Sequence, residues 1–385
     1  MNDSTYPARS SSRRLHLDAL RGLAVLLMIE QHLGVWLWRG PLRGETLADY
    51  PWLVGINVLG GGAAPLFVTL AGAGVTLLAR QRPDCGGVLV RRGVMVLAFG
   101  FALSLATPSW FTPRSWFVLH LIGVMIVAAA GLRHLSTRHL LLLAALVLAV
   151  TVVGQSWLDT PVPMSNRRMG GVLLVDGERA RLAGGIVRLA AFEGHFPVFP
   201  WACFFTVGMV AARWLADGQA GKLVRYGVGM GAAGGVLAGL GAISSVRKAL
   251  RTAGDLDGAA GVVASALDRV VAFNVPFYPA SPAFVLLLAG VVLCSIAVGD
   301  RWERRRSIST TTPLVSMGRA SLTLLIAHVV LVREGAHATG IWCTLTATQV
   351  GGVLIGVLVF AAVATRAWAR RGYAYGAEWL LRRVA

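Results

Sequence analysis

Charged side chains are scarce in this sequence. Asp, Glu, Lys and Arg make up 14% of its 385 residues, against roughly a quarter in an ordinary soluble domain. Hydrophobic residues make up 56%, and the mean hydropathy is +0.66. A soluble protein with so little charge could not cover its surface with polar groups, so the composition predicts a polytopic membrane protein.

Acidic residues and cysteines are also few. The chain has 18 acidic against 36 basic residues and a net charge of +18, but the basic residues form short clusters between apolar runs. This pattern is typical of membrane anchoring and argues against a nucleic-acid partner. Four scattered cysteines without a C-x-x-C pair predict neither a disulfide framework nor a metal site.

Ten apolar stretches are long enough to cross a bilayer core of ~30 Å as helices. We therefore predict an all-α, polytopic integral membrane protein that forms a single domain over residues 1–385. Gly60 to Pro65 should break the second span, and glycines at every fourth residue of the seventh, from Gly227 to Gly239, should allow close helix contact. The predicted spans are 17–38, 57–79, 90–107, 116–132, 139–157, 196–215, 224–243, 283–299, 313–332 and 341–364.

The connections between these spans differ in charge. One side collects 21 of the 36 Lys and Arg residues, whereas the short loops opposite hold four. By the positive-inside rule both termini are cytoplasmic, with tails 1–16 and 365–385 inside and the segments 158–195 and 244–282 outside. The expected partner is the lipid bilayer of the plasma (inner) membrane. The sequence leaves open whether the protein forms a homo-oligomer.

The first span carries four ionisable side chains: Asp18, Arg21, Glu30 and His32. Each costs a few kcal/mol near the bilayer centre. Arg21 and His32 are eleven residues apart, which is about three helical turns, so they share a face and lie ~16 Å apart along the axis. Such a face offers a cation near the inner surface and a base in the outer half. The alternatives are an Asp18–Arg21 ion pair at a helix end and a purely structural histidine.

A longer pattern surrounds these residues. Residues 17–24 read Leu-Asp-Ala-Leu-Arg-Gly-Leu-Ala, and His32 follows Arg21 after ten intervening residues. This resembles the opening helix of the multi-pass membrane acyltransferases, which include the acyltransferase type 3 proteins and the relatives of heparan-α-glucosaminide N-acetyltransferase. The stretches 64–72, 196–209 and 318–328 are similar to the latter branch and to the YeiB-like bacterial proteins, and 376–382 is similar to the YeiB-like tail. The heparan-modifying branch usually has asparagine at the position of His32, so the branch stays open.

The resemblance implies an acyl donor, usually acetyl-CoA, bound from the cytoplasm. It also implies transfer to a hydroxyl or amine of a glycan-like, lipid-linked or extracytoplasmic acceptor, without a metal. Histidine suits the base because its pKa lies near neutrality, and the fork of Arg21 can pair with CoA phosphates. The predicted catalytic set is therefore His32, Arg21 and Asp18.

Four further polar residues are candidates for binding the donor, together with Arg21. Arg319 and Ser321 open the ninth span near the inner face, His328 lies deeper in it, and His120 lies in the fourth span. Simple snorkelling explains Arg319 equally well, and both histidines could be structural. Trp36 near the end of span 1 is expected to anchor the outer interface. Glu193 and His195 in the outer segment are expected to lie in a solvated loop, with binding of the acceptor as the alternative.

Two other functions share parts of this pattern. A transporter or flippase would also have a discontinuous helix and intramembrane charges, but the halves of the sequence show no internal repeat. A non-catalytic membrane subunit would use the intramembrane His and Arg for folding only.

Overall fold

A computed structural model describes residues 13–113, 115–158, 160, 185–273 and 279–384. Most of tail 1–16 and of segment 158–195 therefore lies outside the described residues. The described part is helical, and its only strand-like pairing is a one-residue bridge between Trp38 and Leu345. The predicted all-α class is confirmed. The main helices are α1 (Leu15–Leu37), α2 (Pro51–Gly60), α3 (Ala63–Gln81), α4 (Gly86–Ala106), α5 (Val118–Leu132), α6 (Thr137–Trp157), α7 (Val198–Ala216), α8 (Ala220–Ala242), α9 (Ser244–Gly254), α10 (Ala259–Val271), α11 (Pro282–Arg305), α12 (Pro313–Arg319), α13 (Ser321–His328), α14 (Ala347–Ala369) and α15 (Ala377–Val384).

Most of the predicted spans form helices that are long enough to cross a membrane. Among the described residues, eight helical segments are long and apolar enough to cross a membrane, with α2 and α3 counted as one. A ninth is the bent pair of α12 and Ser321–Thr339, which continues α13 through π-helical Val329–Glu334. The predicted span 116–132 is the shorter apolar helix α5, of 15 residues. The multi-pass membrane fold is thus confirmed.

The predicted span 313–332 is not one helix. Helix α12 ends at Arg319, and the next helix leaves at 79°. Gly318 lies so close to α1 that a Cβ there would be 1.8 Å from the carbonyl oxygen of Asp18. The bend exposes the first N–H groups of α13, and the Glu378 carboxylate of α15 accepts two of them, from Leu322 at 2.6 Å and Thr323 at 3.1 Å. This cap satisfies backbone donors that a bent span would otherwise leave unpaired.

The last span begins later than the predicted 341. Gly340 has a φ of +73°, a left-handed conformation that ends the preceding helix. The next residues run against the end of α1, where the Leu345 N–H donates to the Leu37 carbonyl at 2.9 Å. Thr346 then caps α14 by accepting the N–H of Gln349 at 3.3 Å. The helix therefore spans Ala347–Ala369.

Glycines set the closest helix contacts. The predicted break of span 2 lies at Gly61 and Gly62, between α2 and α3. In α8, Gly227 and Gly231 face Gly290 of α11 as predicted, whereas Gly235 and Gly239 face open space. Four residues turn the helix by about 400°, so a strict four-residue stripe drifts by about 40° at each step. Gly234 takes the next contact instead, against Leu287 of α11.

Helices α3 and α7 cross at a reciprocal glycine contact, which gives a first prediction. A Cβ on Gly208 would lie 1.9 Å from the Thr69 carbonyl oxygen, and one on Gly72 would lie 2.0 Å from that of Phe205. We expect Gly208→Ala to destabilise the fold by ~1–3 kcal/mol, because two backbones must separate. Gly235→Ala is the control, since that position is open. A lower unfolding temperature of the purified protein for Gly208→Ala alone checks this; equal temperatures would contradict it.

Both ends of the described chain lie on one face of the molecule. Asp18 near the start of α1 is next to Arg319 at the end of α12, and α15 caps the start of α13. We name this the arginine face, after the arginines Arg13, Arg14, Arg80, Arg92 and Arg304. The far face carries the end of α1 and the connection before α14. The alternation of the ten predicted spans and the assignment of the arginine face to the cytoplasm stay predictions.

Candidate active site

A cavity of about 1110 Å³ lies at the arginine face. It is built from the ends of several helices, and its polar lining has six arginines and three carboxylates. The excess of positive charge suits an anionic ligand. The charged lining residues are Arg13, Arg14, Arg21, Arg80, Arg92, Arg304, Asp18, Asp300 and Glu303.

Asp18 lies at the centre of the charge cluster on α1. Its side chain is 3% exposed and contacts three guanidinium groups: Arg13 Nε at 2.5 Å, Arg21 Nη1 at 3.1 Å and Arg319 Nε at 3.6 Å. Arg21 also donates through Nη2 to the Leu70 carbonyl of α3 at 3.2 Å. One carboxylate therefore neutralises one of three cations and holds Arg21 across the gap between α1 and α3.

The other arginines of the cavity differ in how they are paired. Arg14 and Arg304 both contact Asp300, at 3.2 and 2.8 Å, and Arg80 pairs with Asp217 at 2.8 Å. Arg92 of α4 pairs with no carboxylate of the described residues, and its buried Nε lacks a hydrogen-bond partner there. Arg92 also lines the cavity.

A second polar cluster lies at the other end of α1, around His32. The Nδ1 atom of His32 lies 2.8 Å from Nε2 of His328 on α13, and His328 Nδ1 lies 3.0 Å from the Leu324 carbonyl oxygen. Trp36 stacks on His32 at 4.6 Å between ring centroids, and Trp110 meets it edge-on at 5.3 Å. His328 is 5% exposed, whereas His32 is half-buried.

Arg333 closes the far-face side of this cluster. Its guanidinium lies over the rings of Trp342, Trp110 and Trp36, at 4.4, 4.9 and 5.5 Å from their centroids. It also donates to the Ser109 carbonyl at 2.8 Å. Arg333 and His195 both lie near His32. Burial lowers the pKa of His195 to about 3, so its ring is neutral at physiological pH.

The structure brings most of the predicted residues into these two clusters. Asp18, Arg21 and Arg319 meet at the arginine face, and His32 and His328 meet near the far face. The unbroken helix α1 separates the clusters by ~16 Å.

His120 and Ser321 lie apart from both clusters and outside the cavity lining. His120 Nδ1 accepts the N–H of Phe117 at 3.2 Å at the start of α5, among aromatic rings. Ser321 begins α13 beside the Glu378 cap.

Some interpretations of the sequence were wrong or incomplete. Trp36 is 2% exposed, so it packs on His32 and is no interface anchor; its spacing of four residues from His32 was the available signal. The Glu193 side chain is buried and pairs with Arg188 at 2.7 Å, so it is not solvated. Arg333, Trp110 and Arg92 were missed, because nothing in their local sequence separates them from ordinary residues flanking a span.

Fold and site define a multi-pass membrane protein with an arginine-rich cavity and an intramembrane histidine pair. No group of three or more metal-binding side chains occurs in the described part of the chain. The family model of the heparan-alpha-glucosaminide N-acetyltransferase catalytic region matches residues 13–246, more than half of the sequence. A second model, OpgC protein, matches residues 180–372. No curated protein matches the chain.

The chain therefore belongs to the heparan-α-glucosaminide N-acetyltransferase-like family of membrane acyltransferases, and the resemblance inferred from its motifs is confirmed. The first matched region contains Asp18, Arg21 and His32, and the second contains Arg319 and His328. The two models together therefore cover both clusters of the site.

Proposed function

We propose that this protein transfers an acetyl group from acetyl-CoA to a hydroxyl or amine of a glycan-like, lipid-linked or extracytoplasmic acceptor. One observation carries the proposal: a 1110 Å³ cavity with six arginines and three carboxylates lies at the end of the helix that carries His32. CoA has three phosphate groups, and arginine forks are well suited to bind them. Arg92, which pairs with no carboxylate of the described residues, and Arg21, which shares Asp18 with other arginines, are the first partners for them.

The donor would have to reach from the cavity to His32. Val25 and Met28 lie on the same face of α1 between Arg21 and His32, and both are buried, at 0% and 7% exposure. The cavity lining on α1 ends at Arg21. We propose that the pantetheine arm inserts beside these apolar side chains, with the flexible Met28 moving aside, so that the thioester meets His32.

The chemistry at His32 is that of a general base. Its free imidazole nitrogen removes the proton from the acceptor hydroxyl or amine as that oxygen or nitrogen attacks the thioester carbonyl carbon. The carbon–sulfur bond then breaks, and CoA leaves as a thiolate that takes the proton back from the imidazolium. Asp18, which Arg319 also contacts, contributes by holding Arg21, and so the donor, at the arginine face.

We further propose that the arginine face is cytoplasmic and that acceptors approach from the far face, the side to which the charge pattern of the sequence assigns segments 158–195 and 244–282. Acetyl groups then cross the bilayer while CoA does not. A transporter would instead carry a whole solute across. The acceptor probe for a first test is glucosamine, because the matching family model is named after an α-glucosaminide N-acetyltransferase.

Sealed vesicles separate these possibilities. The purified protein is reconstituted, and protease accessibility selects vesicles with the arginine face outward. With radiolabelled acetyl-CoA outside and glucosamine inside, we expect acetylated glucosamine inside and free CoA outside only. Protein-free vesicles and the variant His32→Gln are the controls. Absence of product inside, together with product formed when glucosamine is supplied outside instead, would contradict transfer across the membrane, and labelled acetyl-CoA inside would favour a transporter.

A further inference from the structure

Two hydrogen bonds in series connect His32 to the backbone of α13. His32 Nδ1 lies 2.8 Å from His328 Nε2, and His328 Nδ1 lies 3.0 Å from the Leu324 carbonyl oxygen. The two ends of this hydrogen-bond series are not equivalent. A carbonyl oxygen only accepts, whereas each imidazole nitrogen either donates or accepts according to the tautomer.

The direction of both hydrogen bonds follows from the carbonyl group. His328 Nδ1 must carry a hydrogen in order to donate to Leu324. In a neutral ring the other nitrogen, Nε2, then holds a lone pair and accepts. His32 Nδ1 must therefore carry the hydrogen that it donates to His328. The lone pair of His32 is left on Nε2, the nitrogen that does not face His328.

The surroundings of His328 fix the direction of these two hydrogen bonds. His328 is 5% exposed, and its ring is parallel to His32 within 10° and to Trp36 within 14°. The helix that carries it is capped at its start by Glu378. A flip of the His328 ring would remove its hydrogen bond to the buried Leu324 carbonyl, at a cost of about 1–3 kcal/mol.

We propose that His328 is a positioning residue that fixes the tautomer of His32, so that Nε2 of His32 is the atom that takes the acceptor's proton. The inference rests on the proposed function, since it concerns the same base. It gives His328 a role other than donor binding. When His32 becomes an imidazolium, its Nδ1–H still donates to His328 Nε2, and the hydrogen bond strengthens because its donor is now charged.

Solid-state NMR of ¹⁵N-histidine-labelled protein in lipid vesicles tests the tautomer directly, without turnover. The His32 signals are assigned by their loss in His32→Gln. At pH 8 we expect wild-type His32 to be protonated at Nδ1 and bare at Nε2. His328→Gln places an amide oxygen near the same acceptor position, so it should keep this tautomer. His328→Leu removes the acceptor and should shift His32 toward the Nε2-protonated form.

Kinetics then test what the tautomer does. In His328→Leu we expect kcat to fall by about 100-fold, because a wrong tautomer costs up to ~10⁴-fold in other pairs of a base and its orienting group. The KM for acetyl-CoA should stay within twofold, and His328→Gln should recover most of kcat. A raised KM with unchanged kcat would place His328 in the donor site and overturn the inference.

The NMR measurement and the kinetic measurement can each contradict the inference without the other. A wild-type His32 protonated at Nε2 overturns the inference even if every variant misfolds, because that measurement needs no change at His328. An unchanged His32 tautomer in folded His328→Leu overturns it as well. The expected tautomers together with no acetyl transfer by the wild type would instead show that the proposed function is wrong while the hydrogen-bond order stands.

Discussion

His32→Gln is expected to lower kcat/KM for acetyl transfer by ~10²–10⁴-fold, the usual contribution of a positioned general base. His32 is half-buried and its Nδ1 pairs with His328, whereas His328 is buried and has both nitrogens engaged. The assay measures labelled product formed by purified protein in vesicles at saturating acetyl-CoA.

Binding and folding should survive this change. His32 lies ~16 Å along α1 from Arg21, so the Kd for CoA, measured by calorimetry, should stay within twofold. The half-buried ring should also leave the unfolding temperature nearly unchanged. His134→Gln is the matched control, because His134 is exposed and outside both clusters. Full turnover in folded His32→Gln would reject His32 as the base.

The helices and the shared face of α1 were predictable because they depend on local periodicity. Apolar runs of bilayer length define spans whatever their neighbours, and an eleven-residue spacing puts Arg21 and His32 on one side of any straight helix. The motif around them was enough to indicate the family. None of this requires knowledge of which helices touch.

The partners of these residues were not predictable in the same way. His328 is 296 residues from His32 in sequence, and only the bend after Arg319 brings its helix to α1. That bend depends on the approach of Gly318 to the backbone of α1 and on a cap from Glu378 near the end of the chain. The cavity likewise combines arginines from helices far apart in sequence. Long-range contacts of this kind leave no periodic signal.

The contacts of Asp18 explain how several arginines can lie close together at the arginine face. Three guanidinium groups close together would repel one another, and one buried carboxylate offsets part of that repulsion. Asp18 does not neutralise all of them, so a phosphate can still be attracted. In this view Asp18 keeps the arginines in place, and Arg21, the one that also bonds to α3, gives the donor a fixed point beside α1.

Arg21→Met should therefore raise the Kd for CoA by about 10–100-fold, since a hydrogen bond to a charged group contributes ~1.5–3 kcal/mol. Arg21→Lys should fall between Met and wild type, because the ammonium keeps the charge but not the planar fork. Calorimetric titration of CoA into the purified protein measures this without knowledge of the acceptor. At saturating donor, kcat of Arg21→Lys should stay within a few fold of wild type.

Arg138→Met is the control for the loss of one positive charge, since Arg138 is exposed on the arginine side of α6 and lines no part of the cavity. Any effect of Arg138→Met on the Kd for CoA should also shrink in high salt, as expected for a distant exposed charge. Titration with dephospho-CoA adds a second comparison: if Arg21 binds the 3′-phosphate, Arg21→Met and wild type should bind dephospho-CoA equally. Equal CoA affinity in Arg21→Met and wild type would contradict the cavity as the donor site, because no described residue lies deeper along α1 in its lining.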